Sequence, residues 1–272
     1  MIRRDRLVPI ALVAPAAATL ILLFGGGLVG AFWQSLQYGL AEGYSTSTWQ
    51  ALIRDPLFVD SVWFSARIAL VATAASVVVA VLAALALRRY GALARSLFAL
   101  PVPVPHLLVS VVAVTWLAPG GLADRLLGTL PVALVRDPGG IGIVLVYIYK
   151  EAPFLTLLAL AAMGPLLTAR EEAAAMHGAG PLQRLALVVW PAIRRPLAAG
   201  ALIVGAFAFG AFEVPLIVGP TYPLTIATYA LQATQGDVLA GQSLAAAALL
   251  VAAAASLAFA VLVVRLGRGA GE

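Results

Sequence analysis

Residues 168–191 read TAREEAAAMHGAGPLQRLALVVWP, a charged and alanine-rich stretch that glycine and proline interrupt. The chain around this stretch is very apolar, since 62% of its 272 residues are hydrophobic and only 11% are charged. The mean hydropathy is +1.02. A soluble domain carries about 25% charged residues. The composition therefore indicates an integral membrane protein, in which residues 168–191 form a polar segment outside the lipid.

The first half of this segment predicts a helix followed by a sharp turn. Thr168 and Glu171 have the spacing of a capping box, in which a hydroxyl and a carboxylate bind the free amides at a helix start. We expect a helix to begin there and to continue through the alanines that follow. Gly178 and Gly180 permit the backbone conformations that a sharp turn needs. Pro181 suits the first turn of a second helix.

The second helix has one apolar face. Four apolar side chains follow the spacing i, i+3, i+4 and i+7: Leu182, Leu185, Ala186 and Val189. Pro191 and Pro196 predict the return of the chain into the membrane. A short amphipathic helix outside the bilayer must bury this face in the membrane interface, against its own bundle, or in a cleft of a partner protein. The residues alone do not decide which of these three sites buries the apolar face.

The remainder of the chain predicts an all-α integral membrane bundle. A membrane-spanning helix needs about 20 largely apolar residues, and the unalternating composition of the apolar runs argues against a barrel. We expect one transmembrane domain over residues 1–272, with the loop of residues 164–195 between spans four and five. The six expected spans are residues 8–33, 62–87, 98–117, 139–163, 197–218 and 241–264. The uncharged run that begins at Leu7 is too long for the core of a signal peptide, so we expect it to be a retained helix.

The basic residues predict the orientation of these spans. Six spans place most arginines on one side of the membrane: Arg3, Arg4, Arg6, Arg88, Arg89, Arg95, Arg170, Arg184, Arg194, Arg195, Arg265 and Arg268. By the positive-inside rule, both termini and residues 164–195 are cytoplasmic. The net charge of +5 is therefore a topology signal, and we expect the lipid bilayer rather than nucleic acid as its partner.

The loop of residues 164–195 resembles a known motif. Glu172-Ala173-Ala174, three residues, Gly178, nine residues and the run Val188–Pro191 resemble the EAA signature of permease subunits in binding-protein-dependent ABC importers of type I. The usual signature ends in isoleucine, any residue, leucine and proline, and the valine and tryptophan found here keep its bulk and apolarity. His177 stands where the family often has aspartate. The resemblance covers essentially the whole chain, and we call residues 164–195 the EAA loop.

The resemblance implies a coupling role for the EAA loop. In the family this loop sits in a groove of a cytoplasmic ATPase subunit and transmits its closure to the membrane helices. The residues implied in ATPase coupling are Glu171, Glu172, Ala173, Ala174, Gly178, Gly180 and Pro191. Glu172 would face the ATPase and pair with a basic group there. The implied partners are two ATPase subunits that bind ATP and Mg, an identical or homologous second permease chain, and an external solute-binding protein, all at a bacterial inner membrane.

The chain itself lacks the residues for ATP hydrolysis. A P-loop needs a lysine after a glycine-rich turn, but the single lysine, Lys150, stands between tyrosine and glutamate. There is no cysteine, and the two histidines are His106 and His177. His106 follows a proline-rich run at the start of span three, and we expect it to be packed or interfacial. We therefore expect no enzyme activity, no metal site and no cofactor in this chain.

Three ionisable residues within spans four and five suggest a translocation path. Each charge at the bilayer centre costs about 2.5–3.5 kcal/mol on insertion scales, so Lys150, Glu151 and Glu213 should face protein or water. Pro153 and Pro215 follow them, and proline frees carbonyl groups that can line a cavity. We hypothesise a polar path through these two spans. The alternative is an ion pair of Lys150 with Glu213 or Glu151 that only fixes helix packing.

The sequence leaves alternatives for the substrate and for the class of transporter. Residues 209–219, FGAFEVPLIVG, resemble the permease branch that imports polyamines, ferric iron, thiamine or phosphonates more than the sugar branch, which usually carries an asparagine-glutamate pair there. The alternative function is a secondary transporter or channel with a cytoplasmic helical gate, and a membrane enzyme is third. Only the importer requires an ATPase subunit.

Overall fold

The regular secondary structure of the described residues is entirely helical. The computed structural model describes residues 4–37, 43–128, 132–236 and 240–268. The helices are α1 (Arg4–Leu20), α2 (Gly26–Ser35), α3 (Ser47–Arg54), α4 (Pro56–Leu87), α5 (Ala92–Phe98), α6 (His106–Leu117), α7 (Leu122–Leu127), α8 (Ile141–Ala162), α9 (Pro165–Met176), α10 (Pro181–Arg184), α11 (Trp190–Gly210), α12 (Glu213–Val218), α13 (Ile226–Gly236) and α14 (Ala240–Arg268). Two π-helical segments, Ile21–Gly25 and Leu185–Val189, join α1 to α2 and α10 to α11.

Six stretches of the described residues are long and apolar enough to cross a membrane. They are Leu12–Ser35, Pro56–Leu87, His106–Leu127, Ile141–Ala162, Pro181–Gly210 and Ala240–Arg265. The predicted all-α class and the number of spans are confirmed. The first, second, fourth and sixth spans overlap most of their predicted ranges, whereas the third and the fifth differ from the prediction.

The third span begins at His106 and not near Phe98 as predicted. Pro101, Pro103 and Pro105 lack amide hydrogens, and each also disfavours the helical conformation in the residue before it. The backbone therefore forms turns between α5 and α6, and Pro105 is the N-cap of α6. The proline run therefore separates two helices.

The fifth span is a continuous helical stretch from Pro181 to Gly210. The sequence predicted a short helix ending near Pro191 and a separate span over residues 197–218. Instead, Pro191 lies in the first turn of α11 and Pro196 lies inside it. The π-helical segment that precedes Pro191 shifts the hydrogen-bond register, which relieves the clash of a proline ring with the preceding turn. Within the predicted range of residues 197–218, the helix ends at Gly210, and α12 follows as a separate short helix.

The chain forms two compact units. Met1–Val59 with Tyr229–Val251 form one, and Asp60–Thr228 with Ala252–Glu272 form the other. In the first unit, Tyr229 Oη donates to the Asp55 carboxylate at 2.7 Å. Burial and this carboxylate raise the pKa of Tyr229, so the phenol remains a hydrogen-bond donor at neutral pH. A single transmembrane domain remains a prediction.

Apolar packing in the second unit joins the EAA loop to three spans. Buried side chains come from α4, α8, α9 and the helical stretch that begins at Leu185: Ala80, Ala84, Leu155, Ala159, Leu167, Val189, Ile193, Leu197 and Val204. Alanines on α4 and α8 permit close approach of these helices. Leu167 belongs to α9, so the first helix of the EAA loop is anchored in the same core as the spans.

Candidate functional site

The EAA loop begins earlier than its capping box predicts. α9 starts at Pro165 with Gly164 as its N-cap, because proline is preorganised for the first helical position. Thr168 therefore lies inside the helix, and the capping box does not form. Glu171 instead binds Arg88, whose Nη1 donates to both carboxylate oxygens at 3.0 and 2.8 Å. This ion pair ties α9 to the C-terminal end of α4.

The turn between α9 and α10 uses its two glycines differently. Gly178 has φ +84°, a left-handed conformation that favours glycine, as the sequence predicts. The amide of Ala179 donates to Ala174 O at 3.0 Å, which closes the end of α9. Gly180 has an extended backbone and is the N-cap of α10. Its amide donates to Gln183 Oε1 at 2.8 Å, so Gly180 serves the start of the second helix.

The predicted apolar face of the second helix is divided. Val189 is fully buried in the core, and Leu185 packs against that core. Ala186 is exposed and Leu182 is 80% exposed. A π-helical turn contains more residues than an α-helical turn, so positions before and after it no longer share one face. Half of the expected face therefore packs against its own bundle, and the other half points outward.

The tip of the EAA loop is exposed and partly apolar. Met176 is 82% exposed. Glu172 and Ala173 are exposed, and Ala174 is half-buried. Pro191, the last predicted coupling residue, is exposed on the first turn of α11. The structure thus brings Glu172 and Met176 together on the outer surface of α9, while Glu171 is held against Arg88.

Lys150 is buried and binds backbone carbonyls rather than a carboxylate. Its Nζ donates to Pro101 O at 2.7 Å, to Val102 O at 3.1 Å and to Val104 O at 2.5 Å. These carbonyls belong to the proline-rich turn before α6, in which proline interrupts the regular hydrogen bonding. The alternative to the polar path, an ion pair of Lys150 with Glu213 or Glu151, does not form among the described residues. The lysine instead completes a turn that prolines leave unsatisfied.

Glu151 pairs with a histidine that the sequence did not assign to the path. Its Oε1 lies 2.9 Å from His106 Nε2. The His106 ring also packs on Phe207 of α11, with 4.6 Å between ring centroids. His106 and Glu151 are 45 residues apart, so no local spacing could reveal this contact. The available signal was a polar side chain at the start of an apolar span.

The three predicted ionisable residues line two neighbouring cavities. A cavity of about 280 Å³ is lined by His106, Lys150, Glu151 and Phe207, together with apolar side chains. A second cavity of about 260 Å³ is lined by His106, Phe207 and Glu213. His106 and Phe207 line both cavities, so the three predicted ionisable residues lie beside two neighbouring cavities. His106 adds a residue of the third span to both.

The two predicted path prolines do not line these cavities. Pro153 is buried inside α8 and contributes to an apolar cavity beside the turn at Pro101. Pro215 is buried in the first turn of α12, where its carbonyl accepts the amide of Gly219 at 3.0 Å. Both prolines therefore act on the backbone. Pro215 belongs to the short helix α12, which Glu213 begins after the helix break that follows Gly210.

Comparison with known proteins gives consistent results. The family described as "Binding-protein-dependent transport system inner membrane component" matches residues 76–270. The trehalose transport system permease protein SugA of Mycobacterium tuberculosis, in strains CDC 1551 / Oshkosh and H37Rv, is 28% identical over 220 residues, which are 77% of this chain and 72% of SugA.

Solved structures share the fold over nearly the full length. A bacterial alginate ABC transporter in complex with an alginate pentasaccharide-bound periplasmic protein gives a TM-score of 0.77 at 21% identity, over 98% of this chain and 96% of that chain. A bacterial ABC transporter involved in the import of the acidic polysaccharide alginate gives 0.78 at 19% identity over the same shares. These likenesses confirm the architecture of six membrane-spanning helices.

SugA corrects the resemblance of residues 209–219 to the polyamine, iron, thiamine and phosphonate branch, because this relative is a trehalose permease. The structure gives a reason. Glu213 and Pro215 form the first turn of α12 after a helix break, so the segment also meets a local backbone requirement. The match over most of its length shows that this chain belongs to the binding-protein-dependent transport system inner membrane component family, and it is the non-catalytic, multi-pass permease of an ABC importer.

Proposed function

We propose that the EAA loop docks in a cleft of a cytoplasmic ATPase subunit and transmits its closure to the spans. The observation that carries this proposal is the exposed tip, where Met176 and Leu182 are apolar and exposed and where Glu172, on the same helix as Met176, is also exposed. Exposed apolar surface of this kind is typical of a docking site. At the base, Glu171 binds Arg88 and Leu167 is buried, so force on the tip would reach the core.

The same proposal includes the remaining partners and the orientation. Two ATPase subunits would supply ATP and Mg²⁺, and an external binding protein would deliver the solute. The clustering of arginines near the EAA loop and the chain ends supports cytoplasmic termini. An identical or homologous second permease chain is supported by Glu213, which is exposed although it lines a cavity with His106 of the third span. Contact of a carboxylate with lipid costs free energy, and contact with another permease chain would cost less.

Affinity purification from the native membrane tests this proposal. A tagged chain should co-purify with an ATPase subunit, and loaded binding protein should stimulate ATP hydrolysis by the complex. Uptake into proteoliposomes should require ATP. A chain that transports solute alone, driven by an ion gradient, would instead support the secondary transporter.

For the substrate we propose a neutral saccharide. The trehalose and alginate names of the relatives support a sugar. The cavities support a neutral one, because Lys150 is occupied by carbonyls and Glu151 is paired with His106. Phe207 offers an aromatic face, and Glu213 offers acceptors for hydroxyl groups. Competition of trehalose, an acidic oligosaccharide and a polyamine for the external binding protein tests this class, and selective binding of the polyamine would contradict it.

Replacing Glu213 with Gln should slow solute uptake about tenfold, as expected when a hydrogen bond to a charged group is lost. The association with the ATPase should not change, because Glu213 lies on α12 and not on the EAA loop. Initial uptake rates and pull-down of the ATPase measure the two effects. Leu216→Ala is the matched control, since Leu216 is an exposed residue of the same helix. An E213Q chain that fails to assemble would assign Glu213 to packing.

A further inference from the structure

Another, larger cavity lies beside the EAA loop and is rich in arginine. Its volume is about 740 Å³, and it is bounded by the end of α4, the end of α8 and the start of the EAA loop. The charged residues in its wall are Arg88, Arg89, Arg95, Arg184, Glu171 and Glu172. Four guanidinium groups thus face two carboxylates, which leaves an excess of positive charge.

Two of these arginines are already satisfied. Arg88 is paired with Glu171. Arg95 donates through Nε to Leu87 O at 3.3 Å and through Nη2 to Arg88 O at 3.0 Å, so it closes the C-terminal end of α4. These contacts stabilise the junction of α4 with α9 and leave little capacity for a ligand.

The other two arginines lack such partners. Arg184 Nε is buried and has no hydrogen-bond partner. A buried donor without a partner is costly, so Arg184 would gain from an acceptor that enters this space. Arg89 is exposed at the rim, and its side chain makes no hydrogen bond within the part of the chain that the structure describes. Arg89 and Arg184 also line an adjoining cavity of about 270 Å³, so both reach the same space.

The cavity lies beside the ends of two candidate spans. Arg88 and Arg89 directly follow the end of the second span, and Met163 directly follows the end of the fourth. Leu160 and Met163 add an apolar wall on the membrane side. We propose that Arg89 and Arg184 bind a phosphate-bearing anion, either the headgroup of an anionic phospholipid or a free phosphate compound. The planar donors of arginine suit phosphate oxygens, and the recessed Nε of Arg184 favours a small group over a side chain of a partner protein.

This site goes beyond the proposed function, because anion binding does not require ATPase docking. Its consequence for coupling does rest on the proposed function. A phosphate between Arg89 at the end of α4 and Arg184 of α10 would clamp the EAA loop to the second span.

Binding of defined phosphate compounds to the complete transporter tests the proposal. The probes are nanodiscs of phosphatidylcholine with or without phosphatidylglycerol, and inorganic phosphate or pyrophosphate in detergent. Bound lipid is measured by native mass spectrometry, and free anion by the shift of the melting temperature. Arg89→Gln and Arg184→Gln should each weaken binding about tenfold. Arg194→Gln is the matched control, since Arg194 is exposed outside the cavity, and it should bind like the unaltered chain.

The two sources give different results. Retention of phosphatidylglycerol that free phosphate does not displace, and that R89Q and R184Q lose, identifies a lipid headgroup. A saturable shift with phosphate or pyrophosphate, lost in the same variants, identifies a free compound. Equal binding in R89Q, R184Q and R194Q would overturn the proposal, as would variants that weaken ATPase association but bind both probes normally. Because binding is measured without ATP turnover, failure of the anion site is distinguishable from failure of EAA-loop coupling.

Discussion

Replacing Glu172 with Lys should abolish ATP-driven uptake while the permease still inserts into the membrane. Glu172 is exposed on α9 beside Met176, and the proposed docking pairs its carboxylate with a basic group of the ATPase. A reversed charge at a desolvated interface replaces attraction with repulsion, and such like-charge contacts cost several kcal/mol. We expect transport to fall by at least about 100-fold. Uptake into proteoliposomes and pull-down of the ATPase measure the effect.

Arg170→Gln is the matched control for this substitution. Arg170 is also an exposed residue of α9, so this variant changes charge on the same helix without altering the carboxylate. It should retain transport within a few-fold. Normal uptake by the E172K chain would contradict the coupling role of Glu172, and loss of membrane insertion would assign the residue to folding.

Replacing Lys150 with Met should destabilise the permease itself. The lysine ammonium group binds the carbonyls of Pro101, Val102 and Val104, and methionine cannot donate to them. Each buried polar group that loses its partner costs about 1–3 kcal/mol. The contact with Pro101 is buried and the other two are partly buried, so their combined loss is a large fraction of the stability of many domains. We expect a large fall of the melting temperature in detergent, or failure to purify as a monodisperse chain.

Tyr149→Phe is the control for this second prediction. Tyr149 is the preceding residue of α8 and is 55% exposed, so the loss of its hydroxyl should leave the melting temperature nearly unchanged. A K150M chain as stable as the Y149F chain, but unable to transport, would show that Lys150 acts on the solute and not on the turn before α6.

Most of the fold was predictable because spans are encoded locally. An apolar run of sufficient length predicts a membrane helix with no knowledge of its neighbours, which is why four spans overlap their predicted ranges so well. The other two differ where proline acts through backbone geometry. Pro105 precedes the start of α6. The π-helical segment before Pro191 lets the helical stretch continue through this proline. Neither outcome follows from hydropathy.

The site was predictable in residue type but not in pairing. Lys150, Glu151 and Glu213 stand out in the sequence because charges are rare in spans, and the cavities connect them. Their partners lie far away in the chain. His106 is 45 residues from Glu151, and Arg88 is 83 residues from Glu171. Such contacts depend on which helices pack together, and a single sequence carries no local signal for that.

The central claim is that the tip of the EAA loop enters an ATPase subunit, and photo-crosslinking tests it directly. The chain contains no cysteine, so one introduced cysteine can carry a benzophenone probe without background labelling. The sites are Met176→Cys at the tip and Leu127→Cys as control, since Leu127 is 80% exposed and is the last residue of the third span. In the purified complex, we predict crosslinks from position 176 to the ATPase subunit and none from position 127. Crosslinks from position 176 only to lipid or to the permease, in a complex that contains the ATPase, would contradict the claim.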